Sequence, residues 1–196
     1  RWMADFQGLE KPSGNDVLLE TLSGFSKNLP PPPMNLVLNP RVRRFIVHYS
    51  EQSGRYKLEQ ALFRMKTYAP MIQSFAREYG LPEDIAYLTI IESGFRSNAV
   101  SKKGAAGVWQ LMKKTARLCG LKVARHEDER KNVEKSTRAA FRHLSYLAQK
   151  YQRNWDLVLA AYNSGDGYIS RWMRKHRNKD FWDFSEIRGF KKETFH

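Results

Sequence analysis

Apolar residues recur along most of this chain at spacings of three and four, the repeat of a helix with one buried face. Val42, Phe45, Ile46 and Tyr49 form such a face in a helix opened by Asn39-Pro40 and expected to end near Gly54. Leu58, Leu62, Met65 and Tyr68 mark a second helix; Pro70 breaks or kinks the pattern, and Met71, Ile72, Phe75 and Tyr79 continue it to Gly80. Leu81-Pro82-Glu83-Asp84 reads as the next start, with proline at the first helical position and acids in the first turn. From there Ile85, Leu88 and Glu92 fall at i, i+3 and i+7, which puts a carboxyl on the apolar face, and Gly94 is placed to end the helix. A small-residue, basic loop from Ser93 to Gly107 follows, then a helix through Leu118 to Gly120. Asn132 is a cap for a helix whose apolar face is Ala140, Leu144, Leu147 and Tyr151, and Asn154 starts a strongly apolar one from Trp155 to Tyr162. Gly165 to Lys175 reads as one more. No segment of useful length alternates with period two, so the expectation is an all-α domain with at most a short hairpin inside a loop.

Residues 1 to 38 lack this periodicity and contain Pro30-Pro31-Pro32-Pro33, which favours an extended polyproline arm. The expected organisation is therefore an N-terminal extended segment over 1–38, a helical domain over 39–178 and a C-terminal extension over 179–196. The chain opens at Arg1 without methionine and stops after Glu193-Thr194-Phe195-His196, which reads as a piece of a longer protein whose export signal or anchor lies elsewhere. The longest apolar stretch, Ile85 to Ile91, is too short to cross a membrane.

Charge adds a partner class. The 34 Lys and Arg against 20 Asp and Glu give a formal +14, which favours nucleic acid, acidic lipid or an anionic wall polymer. No nucleic-acid motif accompanies it. Cys119 is the single cysteine, so no intramolecular disulfide can form, and its place near the end of an apolar-patterned helix points to the core. His48, His126, His143, His176 and His196 show no metal-ligand spacing, and neither metal nor organic cofactor is expected.

Glu92 carries the candidate chemistry. Apolar surroundings and the negative end of a helix both disfavour its ionised form, and a carboxyl kept protonated near neutral pH is what a general acid needs. The ordinary alternative is a helix-ending glutamate whose head reaches solvent. Downstream stand Ser93, Ser101, Gly107, Gln110, Met112, Tyr162 and Asn163. Taken singly, Gln110 reads as a surface or capping amide, Met112 as core, Tyr162 as core or rim, and Ser93 and Asn163 as helix-end caps. Trp109, Trp155 and Trp172 read as core with sugar stacking as the alternative; Lys102-Lys103 and Arg171 to Arg177 read as solvated faces, with attraction to peptide-stem carboxylates or anionic wall polymers as the alternative; and Glu127-Asp128-Glu129 read as surface or loop anchors, with one of them reaching the cleft as the alternative.

Taken in order, Glu92-Ser93, Ser101, Gly107-x-x-Gln110-x-Met112 and Ala161-Tyr162-Asn163 resemble the signature of the lytic transglycosylases related to goose-type lysozyme, over residues 81 to 175. Asn39-Pro40-Arg41-Val42, the stretch Ile90 to Gln110, Asp128 to Thr137 and Lys192-Glu193-Thr194 narrow the resemblance to the membrane-bound lytic murein transglycosylase D branch. The resemblance implies a lysozyme-like helical domain with a deep glycan cleft and Glu92 as the single catalytic acid and base. Its substrate would be the β-1,4 bond between N-acetylmuramic acid and N-acetylglucosamine, and its product a 1,6-anhydromuramic end. Ser93, Ser101, Gly107, Gln110, Met112, Tyr162 and Asn163 would bind substrate. The implied partner is the glycan strand of peptidoglycan, met by a monomer in the periplasm, with no nucleic acid and with membrane anchoring only through parts outside this chain. A hydrolytic goose-type lysozyme, a non-catalytic peptidoglycan-binding domain and a basic nucleic-acid-binding domain are the rival readings.

Overall fold

A computed structural model describes residues 40–176 and 181–186, so the polyproline arm and the Lys192-Glu193-Thr194 match lie outside the described residues. Among the described residues the chain is helical: α1 (Pro40–Ser50), α2 (Gln52–Met65), α3 (Ala69–Glu78), α4 (Leu88–Ser93), α5 (Lys113–Leu118), α6 (Val133–Lys150), α7 (Trp155–Ser164) and α8 (Asp166–Lys175). Short 3₁₀ turns cover Glu83–Tyr87, Glu129–Lys131 and Phe181–Glu186. Among the described residues, pairing of extended backbone is limited to the isolated bridges Val100 to Ala106, Ala106 to Leu111 and Val123 to Asp128, the hairpin-in-a-loop that the patterning allowed. No helix is long and apolar enough to cross a membrane among the described residues.

Two compact units divide the chain at His48 and Tyr49. In the first, the described residues are 40–48, within α1, where Val42, Phe45 and Ile46 form the less exposed face. That helix stops at Ser50 and not near Gly54. Glu51 is extended (φ −73°, ψ 155°) and Gly54 sits in the first turn of α2. A glycine ends a helix by turning left-handed, and Gly54 is not among the residues of positive φ. At Pro70 the pattern breaks, as expected: α2 ends at Met65, and Pro70 sits in the first turn of α3, where its missing N–H has no helical partner to lose.

The second unit is organised around α6, whose Ala140, Phe141, Leu144 and Leu147 are fully buried and which packs against α3 and α7. Trp109 joins this core from the loop, meeting Phe141 edge to face at 5.2 Å while its Nε1–H donates to Thr137 Oγ1 at 2.9 Å. Trp109 and Trp155 are thus core residues, whereas Trp172 is half-buried and stacks on His176 at 4.9 Å.

Both asparagine caps form. Asn132 Oδ1 accepts from the Lys135 N–H at 2.9 Å, and Asn154 Oδ1 from the Leu157 N–H at 3.2 Å. Because α6 carries the core, Asn132→Ala is expected to lower the unfolding free energy by about 1 kcal/mol and Asn132→Asp to retain it. Urea denaturation reads the difference; equal midpoints for Asn132→Ala and wild type would show the cap to be idle.

Candidate active site

Glu92 reaches its place by a route the patterning misses. Pro82 precedes the helix in extended conformation (ψ 138°), and Glu83–Tyr87 wind as a 3₁₀ turn before α4 begins. A 3₁₀ turn advances three residues per turn against 3.6, so a stripe at i, i+3 and i+7 does not stay aligned across the junction. Ile85 is buried, but the buried face of α4 is Thr89, Ile90 and Ser93, with Leu88 and Glu92 half-buried on its flank. Gly94 ends the helix in the left-handed region (φ 58°): its N–H bonds Ile90 O at 2.9 Å, and Arg64 Nε donates to Gly94 O at 2.8 Å. Burial alone pushes the Glu92 carboxyl up to about 7. Among the described residues no group hydrogen bonds that carboxyl and no cation pairs with it, so nothing favours its ionised form.

The loop after α4 is pinned from several sides. Ser93 Oγ is buried; it donates to Val108 O at 2.9 Å, with Thr89 O also in reach at 3.2 Å, and accepts from the Arg96 N–H. Ser101 Oγ accepts from the Ala105 N–H at 3.0 Å, closing the turn before Ala106. Gly107 has φ 81°, and a Cβ built there would lie 1.8 Å from Arg130 O. Gln110, also at positive φ (46°), donates from Nε2 to Gly107 O at 2.8 Å.

Arg130 is the residue the sequence reading passes over. It is 2% exposed; Nε and Nη2 grip Asp128 at 2.8 and 2.6 Å, while Nη1 donates to Gly104 O at 2.7 Å and Leu111 O at 2.9 Å. The Arg130 hydrogen bonds hold the Asp128 carboxyl below its ordinary range. Glu129 is a second anchor, accepting from the Lys122 N–H at 2.6 Å and from Lys135 Nζ.

Tyr162, on α7, closes the arrangement. Its hydroxyl donates to Trp109 O at 2.8 Å, and burial, then the negative charges that Glu92 and Cys119 would carry, holds it in the phenol form. Tyr162 also lines a groove of about 900 Å³ together with Met112, Cys119, His143, Tyr146 and Asn163. Met112 is 47% exposed and Asn163 is exposed. Cys119 is half-buried on the groove wall and not in the core: α5 stops at Leu118, leaving the cysteine to end the helix, and burial raises its thiol. Met112, Tyr162 and Asn163 therefore come together in the groove, whereas Ser93, Ser101 and Gln110 spend hydrogen bonds on the loop itself. Glu92 lies off the groove lining and is tied to it electrostatically through Tyr162. No cluster of three or more His, Cys, Asp or Glu suited to a metal ion occurs among the described residues.

A helical, lysozyme-like domain with a partly buried glutamate, unpaired among the described residues, is the class that this geometry defines. The transglycosylase SLT domain family model matches residues 70–185, and the chain belongs to that family. Membrane-bound lytic murein transglycosylase D of Escherichia coli is 33% identical over 153 residues, which cover 76% of this chain and 33% of that protein. Peptidoglycan transglycosylase gp16 of Escherichia phage T7 is 34% identical over 97 residues, 48% of this chain and 7% of that protein. Among solved structures, an inactive mutant of the lytic transglycosylase Slt from Pseudomonas aeruginosa aligns with a TM-score of 0.54 at 25% identity, over 79% of this chain and 24% of that one. The chain thus spans about a third of the length of the Escherichia coli relative.

Proposed function

We propose that this chain is the catalytic domain of a peptidoglycan lytic transglycosylase that cuts the β-1,4 bond between N-acetylmuramic acid and N-acetylglucosamine. Glu92 carries the reading: it is a carboxyl held up to about 7 by burial, without a partner among the described residues, at the end of a rigidly capped helix. Protonated Glu92 gives its proton to the bridging oxygen as the bond to the muramic C1 breaks. The resulting carboxylate takes the proton of the muramic C6 hydroxyl, whose oxygen closes onto C1 to form the 1,6-anhydro ring. Glu92 ends protonated, and no water is consumed. The substrate's own N-acetyl oxygen stabilises the cationic centre between the two steps. Two-carboxylate glycosidases set their acids about 5 to 9.5 Å apart, and an ionised neighbour at the short end of that range would raise Glu92 further. Burial raises the carboxyl, and no neighbouring carboxylate among the described residues adds to the rise, which supports a single-carboxylate mechanism.

In this reading Tyr162, braced on Trp109 O, and Asn163 contact the sugar beside the cleaved bond, and Met112 packs against the strand with its soft apolar side chain. Ser101, Gly107 and Gln110 shape the loop that meets the N-acetyl group, and Ser93 clamps that loop to the catalytic helix. The names of the relatives support a bacterial cell-envelope setting, and we place the domain in the periplasm, acting as a monomer without cofactor, with its catalytic residues inside 39–178.

The pH dependence tests the acid. Since Glu92 must start protonated, kcat/KM for release of soluble fragments from sacculi is expected to be level below neutrality and to fall about tenfold per pH unit above about 7. Undiminished activity at pH 9 would remove Glu92 from the role.

A further inference from the structure

Three cations line the groove that holds Tyr162 and Asn163: Lys103, Lys114 and Arg142. Their charges are not answered from within. Among the described residues none of the three forms an ion pair; Arg142 spends one N–H on a backbone carbonyl, that of Cys119, which leaves its charge uncompensated. The acid on the groove wall, Asp166, is already committed: Lys150 Nζ lies 2.7 Å from its carboxyl and the Tyr151 hydroxyl donates to it at 2.8 Å. His143, on the same wall, has its charged form disfavoured by burial, so it adds no fixed charge. The groove therefore presents a net positive lining beside residues that would hold a neutral sugar chain. A glycan of N-acetylhexosamines alone has nothing to offer those cations. The carboxylates of peptidoglycan hang from the lactyl arm of each muramic residue, most of them on the stem peptide.

We infer that Lys103, Lys114 and Arg142 form a carboxylate-reading wall of the groove that selects strands bearing stem peptides over strands stripped of them. The inference rests on the peptidoglycan reading above. It makes the wall a determinant of substrate choice and leaves bond cleavage to Glu92. Exposed lysines act on a mobile carboxylate mainly through screened attraction, so the effect is moderate, grows with the number of carboxylates and fades with salt.

The test is binding to the full chain carrying Glu92→Gln, which avoids turnover, with and without Lys103→Gln and Lys114→Gln together; both lysines are exposed, and circular dichroism checks the fold. Three soluble probes are titrated calorimetrically at low salt: stem-bearing glycan strands, amidase-stripped strands that keep only the lactyl carboxylate, and neutral N-acetylglucosamine oligomers. The expected result is a 5- to 10-fold weaker Kd for stem-bearing strands in the double-lysine variant, no change for the neutral oligomers, and loss of the difference in 0.5 M salt, on the order set by exposed ion pairs. An unchanged Kd for stem-bearing strands overturns the inference while leaving the catalytic reading intact. Equal weakening for stripped strands overturns the assignment to stem peptides in favour of the lactyl carboxylate. Failure of every probe to bind the parent protein counts against the peptidoglycan reading itself and takes this inference with it.

Discussion

Glu92→Gln is expected to cut peptidoglycan cleavage by about 10³-fold, within the 10² to 10⁴ range of a positioned acid and base, while the protein stays folded. The amide matches the carboxyl in size and cannot donate an acidic proton. The same substitution has an opposite effect on stability, and its sign follows from the raised carboxyl. Between the ordinary value of 4.5 and about 7, the folded protein keeps a proton that the unfolded chain releases. The stability linked to that proton is full below 4.5 and is lost as pH rises through about 7, a loss of about 3 kcal/mol for a shift of this size. Glutamine is neutral at every pH. Glu92→Gln should therefore melt with the wild type at pH 4.5 and several degrees above it at pH 8. A mutant that melts below wild type at pH 8 would mean that the carboxyl has a native partner and is not the strained acid described above.

Gly107→Ala is expected to produce the largest loss of stability of any single-methyl addition in the loop, on the order of 3 to 5 kcal/mol. Two costs coincide. The backbone has φ 81°, which penalises any side chain, and the new Cβ would stand 1.8 Å from Arg130 O, a backbone atom that cannot swing aside. Arg130 itself cannot yield, since its guanidinium holds Asp128, Gly104 O and Leu111 O together. Gly104→Ala is the control: its φ is 84°, but nothing stands within 4 Å of the added carbon, so about 1 to 2 kcal/mol of backbone strain is expected. Thermal unfolding of the two variants separates collision from strain. Equal losses would show that the contact with Arg130 relaxes freely. Activity should fall with stability in Gly107→Ala, because the loop it deforms carries Gln110 and Trp109, whose carbonyl braces Tyr162.

What could be read in the sequence was local chemistry. Asn132 and Asn154 cap helices because a side-chain oxygen two or three residues ahead of free N–H groups needs no tertiary help. Glu92 followed by Gly94 marks a carboxyl at a helix end for the same reason, and the all-α class follows from the 3.6-residue repeat. The misses share a physical origin too. Gly54 is punctuation whose meaning depends on register: the same residue that ends a helix is tolerated in its first turn. Glu83-Asp84 after a proline starts a 3₁₀ turn as readily as an α-helix, which moved Leu88 and Glu92 from the buried face to its flank. Arg130 acts across 19 and 26 residues, on Leu111 and Gly104, and no spacing in the chain distinguishes it from the other basic residues. Met112 and Cys119 look like core by type, but they flank α5, Met112 just before its start and Cys119 just after its end, and their burial is decided by where that helix starts and stops.

In the proposed mechanism Glu92 alone drives an intramolecular ring closure. Mass spectrometry of the soluble products released from purified sacculi, with Glu92→Gln run beside the wild type, tests it most directly. Fragments ending in 1,6-anhydromuramic acid are expected from the wild type and none from the mutant. Fragments heavier by one water, with reducing ends, would contradict it and make the domain a hydrolase, and anhydro products from Glu92→Gln at the wild-type rate would show that another group is the acid.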